Sequence, residues 1–274
     1  RDPFGVRPLY LFQGIINDTY DMIVNDYKPI FGFSSEMKMI TPLNKYFKFY
    51  NIRQFEPGTY QSFSFNDKYW YKTFEFKYYS VSSIIYKDNI PITSSLLKIR
   101  NSLENAVLKR VLTTERPVAC LLSGGLDSSL IASIVNKYYN QQGKTLETYS
   151  IGLPGSEDLK FAKIVANYLN TKHCELVVSE QDFINAIPEV IKNVETYDTT
   201  TIRASVGNYL IAKHISQVSK AKVIFNGDGA DEVCGGYMYF HSAPDPNSFD
   251  FECKRLLNDI SFFDVLRSDR SISS

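Results

Sequence analysis

The rhythm of apolar and polar positions changes part-way along the chain, and that change divides it. Up to about residue 77 the apolar runs are short: Pro8–Phe12, Met22–Val24 and Pro29–Phe33 are separated by Asn, Asp and Gly. Thr59–Phe65 and Trp70–Phe76 alternate around Asn66-Asp67, the pattern of two strands joined by a hairpin. No 3.6-residue period runs through this part, so residues 1–77 are expected to form an antiparallel, sheet-rich unit. Residues 78–94 are polar and mixed and read as a linker. From Ser95 to Leu112 the positions Leu96, Leu97, Ile99, Leu103, Val107 and Val111 form one helical stripe, expected to pack on the sheet of a second domain spanning 95–274.

Beyond Pro117 strands and helices alternate. Pro117–Ser123 is almost wholly apolar, as a strand buried on both faces must be, and Leu130, Ile131, Ile134 and Val135 then recur at helical spacing. Further strands are expected at Thr145–Gly152, Cys174–Val178 and Lys222–Phe225, and helices at Asp158–Asn170, Phe183–Val194 and Ile202–Val218. That order predicts an α/β fold with a parallel sheet covered on both sides, whose ligands sit beyond the carboxyl ends of the strands.

Composition narrows the function classes. The 274 residues can bury a sizeable core, and Lys plus Arg (30) equals Asp plus Glu (30), so no overall field favours nucleic acid or an anionic membrane. The longest apolar runs fall well short of the roughly 20 residues of a membrane span. The opening Arg1-Asp2-Pro3 does not read as a signal peptide. Cys120, Cys174, Cys234 and Cys253 lack CxxC spacing and fit reduced thiols in the cytosol, while His173, His214 and His241 show no metal-ligand spacing.

Two turns carry candidate chemistry. Ser123-Gly124-Gly125-Leu126-Asp127-Ser128-Ser129 lies between a strand and a helix N-terminus, where exposed N–H groups and the helix dipole favour an anion; the two glycines permit close approach, and three hydroxyls add donors. A Walker A loop is excluded, because Gly143-Lys144-Thr145 has Tyr138 at the upstream position that needs Gly; a dinucleotide fingerprint is excluded because Gly227-Asp228-Gly229 is followed by Glu232 at the third-Gly position. The second turn, Asn226–Glu232, places three acids within five positions. Alone it would read as a solvated turn. Following a strand of the same sheet, it can share a site with the first, with Asp127 and Asp231 the natural pair to hold Mg²⁺ against a phosphate chain.

Ser123–Ser129 resembles the SGGxDS pyrophosphate loop of the N-type ATP pyrophosphatases, which cleave ATP between the α- and β-phosphates. Arg1–Tyr10 (RDPFGVRPLY) with Phe33–Lys38 (FSSEMK) resembles the later part of a class II glutamine amidotransferase domain; Asp2 would then contact the glutamine α-amino group, although Asp before Pro is also an ordinary turn former. Domains of that type begin with a catalytic Cys, and no Cys precedes Cys120 here. TYSIGLPGSEDLKFAKIVANYL, ETYDTTTIRASVGNYLIAKHI and NGDGADEVCGGYMYFHSAP resemble the synthetase domain of glutamine-dependent asparagine synthetases. The resemblance implies that Leu121 and Ile151 frame adenine, that Ser123, Gly124, Gly125, Asp127, Ser128, Asn226 and Gly227 bind ATP, and that Thr199, Thr200, Arg203 and Ser205 lie on the aspartate and adenylate side. Asp228 stands where the family has a Glu proposed as general base, within Asn-Gly-Asp-Gly instead of Ser-Gly-Glu-Gly.

The expected reaction joins aspartate and glutamine-derived ammonia through β-aspartyl-AMP, releasing AMP and pyrophosphate in the cytoplasm; a homodimer is among the assemblies it allows. The family chain continues beyond the segment that Phe263–Ser274 resembles and there supplies a phosphate-neutralising Lys, so this sequence reads as an internal piece of a longer synthetase. Three alternatives stay open: another ATP pyrophosphatase such as a β-lactam synthetase, a GMP or NAD synthetase sharing the first loop, and a paralogue that binds without catalysing.

Overall fold

The computed structural model describes residues 1–16, 29–80, 90–262 and 271. The run Met22–Val24, residues 81–89 of the expected linker and nearly all of 263–274 lie outside the described residues.

The N-terminal unit is antiparallel. β1 (Tyr10–Ile16) lies between β2 (Ile30–Ser34) and β3 (Phe47–Gln54), with Leu11 opposite Phe33 on one side and Arg53 on the other. β3 was not among the expected strands. Its register passes from Gln13↔Asn51 to Gly14↔Phe49, leaving Tyr50 without a partner; this β-bulge breaks the period-2 pattern that would have revealed the strand. β4 (Thr59–Phe65) and β5 (Trp70–Lys77) form the expected hairpin, joined by a turn of four residues, 66–69. Asn66 Oδ1 accepts from the N–H groups of Lys68 and Tyr69, and Asp67 adopts a left-handed φ of 68°.

α1 (Ile92–Thr113) begins three residues before the expected start. Only its second half reaches the core: Val107 and Val111 are buried, whereas Leu96, Leu97 and Ile99 are about 60% exposed. The expected apolar stripe exists, but it overhangs the domain it was expected to cover, because periodicity shows which side of a helix is apolar and not how far its partner extends.

The remainder is the expected parallel α/β sheet. β6 (Val118–Leu121), β7 (Glu147–Gly152), β8 (Lys172–Val177) and β9 (Val223–Phe225) lie in the order β8-β7-β6-β9, all parallel. Alternation along β6 sorts the two cores. Val118 and Cys120 pack with Val107, Val111, Val135, Ala162 and Ala166 of α1, α2 (Leu126–Gln141) and α3 (Glu157–Leu169). Ala119 and Leu121 pack with Ile211 and Ile215 of α5 (Thr199–Val218) on the other face. α4 (Glu180–Val194) opens with a reciprocal cap between Ser179 and Asp182 and packs on α5 through Val190 and Val194 against Ile202 and Val206. Two further helices, α6 (Ala230–Cys234) and α7 (Pro246–Asp259), follow β9. Among the described residues no helix is long and apolar enough to cross a membrane.

The sheet also carries a titratable group. His173 on β8 has both ring nitrogens within hydrogen-bond distance of hydroxyls, Thr148 at 3.0 Å and Ser150 at 3.2 Å. Burial lowers its pKa from the ordinary value; Glu175 opposes that shift and Lys163 adds to it. The folded state therefore favours neutral imidazole, so its contribution is complete above the unfolded-state pKa of about 6.5 and is lost as pH falls through the lower folded value. Denaturant midpoints between pH 7.5 and 5 should accordingly fall in the native protein and fall less in His173→Gln; equal slopes would refute this.

Candidate active site

The sheet order determines where a ligand can sit. From β6 the chain steps outward to β7 and β8 and then returns to β9 on the opposite side of β6. At such a reversal the loops leaving the two neighbouring strands part in opposite directions and open a crevice at their carboxyl ends. The loops leaving β6 and β9 are the two glycine turns, and they enclose a cavity of about 330 Å³ lined by Leu121, Ser123, Gly125, Asp127, Ser128, Asn226, Gly227, Asp228 and Asp231, all singled out from the sequence.

In the first turn the glycines have different roles. Gly124 has φ +82°, and a Cβ there would fall 2.4 Å from the carbonyl carbon of Phe161 and 2.5 Å from the nitrogen of Ala162. It lets α3 close on the loop and does not line the cavity. Gly125 lines it and has room. The loop closes on its own hydroxyls: Ser123 and Ser128 Oγ lie 2.9 Å apart, Ser128 Oγ accepts from Ser123 N–H, and Ser123 Oγ accepts from Gly125 N–H. The third hydroxyl departs from expectation, since Ser129 Oγ is buried with no hydrogen-bond partner and does not line the cavity. The amides of Leu126, Asp127 and Ser128 open α2 and have no intrahelical acceptor, so they are able to donate to an anion, and Asp127 and Ser128 line the cavity.

The second turn lies directly against the first. A Cβ on Gly227 would come 2.8 Å from Ser128 N and 3.0 Å from the carbonyl carbon of Asp127. These are backbone atoms that cannot swing aside, so only glycine permits this approach. Asp231 follows at the start of α6, and its pKa is raised by partial burial and then by the charges of Asp127 and Glu232. Among the described residues neither Asp127 nor Asp231 has an ion-pair partner, so the cavity holds excess negative charge.

Sequence reasoning missed three lining residues, Ala204, Asn208 and Tyr237, which lie outside both turns. Asn208 of α5 donates its amide to Asp228 Oδ2 at 3.5 Å, a weak bond beside the 3.0 Å one from Asn226 to the same oxygen. Glu232 is buried and accepts from the Tyr237 hydroxyl, and both line the cavity. The signal for Asn208 was present: Ala204 and Asn208 are four apart, hence on one helix face, and both line the cavity from α5.

Other expected site residues lie apart. Ile151 belongs to the core on the α5 side of the sheet and does not line the cavity. Thr199 and Arg203 line a different, apolar cavity of about 490 Å³ with Phe183, Ile184, Ile187 and Tyr197. Thr200 is exposed, and Ser205 is fully buried with an unpaired hydroxyl. Asp2 locks its own loop: Oδ1 accepts from Phe4 and Val6 N–H and Oδ2 from Arg7 N–H. Partial burial opposes ionisation of Asp2, but these three donors and then the charge of Arg1 outweigh it and hold the carboxyl below its ordinary value.

A family model described as asparagine synthase matches residues 98–269. The glutamine-hydrolyzing asparagine synthetase of Mesocricetus auratus is 38% identical over 100% of this chain and 49% of its own length, and that of Homo sapiens 37% identical over the same shares. A second glutamine-hydrolyzing asparagine synthetase, of Arabidopsis thaliana, is 37% identical over 100% of this chain and 44% of its own. The chain thus spans about half the length of the curated relatives it matches. A solved NMN synthetase from Francisella tularensis covers 59% of this chain and 70% of its own at a TM-score of 0.36 and 17% identity, too slight a likeness to bear on the chemistry. The matched segment includes β6 to β9, both glycine turns and the cavity between them, and the chain belongs to the asparagine synthase family.

Proposed function

We infer that the protein containing this chain makes asparagine from aspartate and ammonia at the cost of ATP, through β-aspartyl-AMP, with AMP and pyrophosphate as products. The observation that carries this reading is the contact of the two glycine turns: free helix-start amides and hydroxyls face the same cavity as the carboxylates of Asp127 and Asp231. Aspartate's side-chain carboxylate is an anion and a poor electrophile, so it must first attack the α-phosphate. The amides of Leu126, Asp127 and Ser128, with Ser123 and Ser128 Oγ, would hold the departing pyrophosphate, the Ser123–Ser128 bond opening to admit it.

Asp127 and Asp231 fit Mg²⁺. The charge of Asp127 raises the cost of ionising Asp231, and Mg²⁺ ordinarily takes one or two carboxylates with phosphate oxygens and water rather than a protein cage. When bound, the ion would neutralise charge building up on the pyrophosphate.

Leu121 would lie against the base of the nucleotide, with Asn226 and Gly227 beside its sugar and phosphates. Asp228 would take the proton from attacking ammonia. Its carboxylate is one methylene short of the Glu it replaces, a reach deficit of roughly 1–1.5 Å, and misplacement on that scale can cost on the order of 100-fold. The N-terminal unit, 1–77, would be the later part of a class II glutaminase that supplies ammonia from glutamine. Asp2 Oδ2, which accepts one bond here, would have an acceptor site left for the substrate amine. Thr199, Thr200, Arg203 and Ser205 lie outside the ATP cavity, and an aspartate role for them would require α4 and α5 to contribute a neighbouring subsite.

The complete gene product, given ATP, Mg²⁺, aspartate and ammonia, should release pyrophosphate and asparagine in equal amounts. Pyrophosphate without asparagine would mean adenylation without amide formation, and neither product from a folded, ATP-binding protein would refute the enzyme reading. In Asp228→Asn, aspartate-dependent pyrophosphate release should persist while asparagine formation falls by about 100-fold or more, and Asp228→Glu should match or exceed the native rate. Loss of both products in parallel in Asp228→Asn would exclude it as the base. Gly227→Ala should weaken ATP binding by at least about tenfold, with a melting temperature near native, because its Cβ separates the two turns and not the core; native affinity would show that the close approach is not required.

A further inference from the structure

Two of the resembling motifs meet in space although the ATP cavity uses neither meeting point. Glu195, which opens ETYDTTTIRAS, reaches across the chain to FSSEMK of the N-terminal unit: Glu195 Oε2 accepts from Met37 N–H at 2.8 Å and Oε1 from Lys38 N–H at 2.6 Å. These amides begin the single 3₁₀ turn Met37–Met39, whose own N-cap residue, Glu36, provides no side-chain cap. A carboxylate some 158 positions away thus caps it with two charge-assisted hydrogen bonds.

The backbone conformation at Glu195 is a costly one for any side chain. Glu195 ends α4 in the left-handed region, with φ 58°, where glycine is the inexpensive occupant and a β-carbon carries a penalty. The next residues are pinned too: Thr196 Oγ1 accepts from Asp198 N–H, and Asp198 caps α5 by accepting from Thr201 N–H. α5 then carries Asn208, whose amide bonds Asp228 in the cavity.

We propose that Glu195 is a positioning residue that latches the N-terminal unit onto the α4–α5 connection, so that ammonia released by the first unit is delivered to the site beside α5. The delivery role rests on the asparagine-forming reading above; the latch itself does not. Glu195 is not among the residues lining the ATP cavity, so the synthetase chemistry with free ammonia should not need it.

Glu195→Gly separates latch from folding, since glycine relieves the left-handed strain while removing both acceptors. In the complete gene product, amide hydrogen exchange at Met37 and Lys38 should quicken by about tenfold or more in the variant, with β6 and β7 amides unchanged. Unchanged exchange at those two amides would overturn the latch. In the complete gene product the variant should keep ammonia-supported asparagine formation within about twofold of native, while glutamine-supported formation falls by about fivefold or more and glutamine consumed per asparagine rises. Glu195→Gln, which keeps one good acceptor, should lie between the two. Parallel loss with both nitrogen sources, or no change with either, would overturn the delivery role. A native protein making no asparagine from ammonia would instead refute the proposed function, and hydrogen exchange would still decide the latch.

Discussion

The site depends on one steric fact, the backbone-to-backbone approach of Gly227 to Asp127 and Ser128. Neighbouring strands stand about 4.8 Å apart, so loops leaving β6 and β9 emerge almost on top of each other. A side chain at the contact would separate them. With glycine there, the loops instead bring helix-start amides and carboxylates to one cavity, where the amides suit a phosphate chain and the carboxylates a cation. The rise in Asp231's pKa is a consequence of that crowding: burial begins it, and the charges of Asp127 and Glu232 add to it. Under the proposed function, the same closeness that raises the cost of ionising Asp231 is what a divalent cation would offset.

What the sequence revealed and what it hid follow from how far each signal reaches. The parallel sheet was legible because strands covered on both faces must be apolar throughout, and because the helices between them keep a 3.6-residue period. The cavity residues on the two glycine turns were legible because each turn is contiguous in sequence. Asn208 and Tyr237 were not, since they enter the site from α5 and from beyond α6, and only packing brings them there. β3 was hidden by a single bulged position, which shifts every later side chain to the opposite face of the pattern. The stripe on α1 was read correctly as apolar and wrongly as covered, because amphipathicity does not report the extent of a partner. Gly124 answers to a demand that the motif does not report: its left-handed φ and its contact with α3 show a glycine that packing also requires.

The surroundings of Asp228 bear on its position. Asn226, two residues before it, donates to Oδ2 at 3.0 Å, and Asn208 adds a weaker bond to the same oxygen at 3.5 Å. The carboxylate is therefore tied to its own turn and to α5 at once, and the turn leaving β9 is joined to the helix that brings Ala204 and Asn208 to the cavity. Under the proposed function Asp228 meets the proton of attacking ammonia, and there a misplacement of about 1 Å can cost on the order of 100-fold in rate. What the two asparagines would contribute to such a step is placement, since both bonds converge on one oxygen.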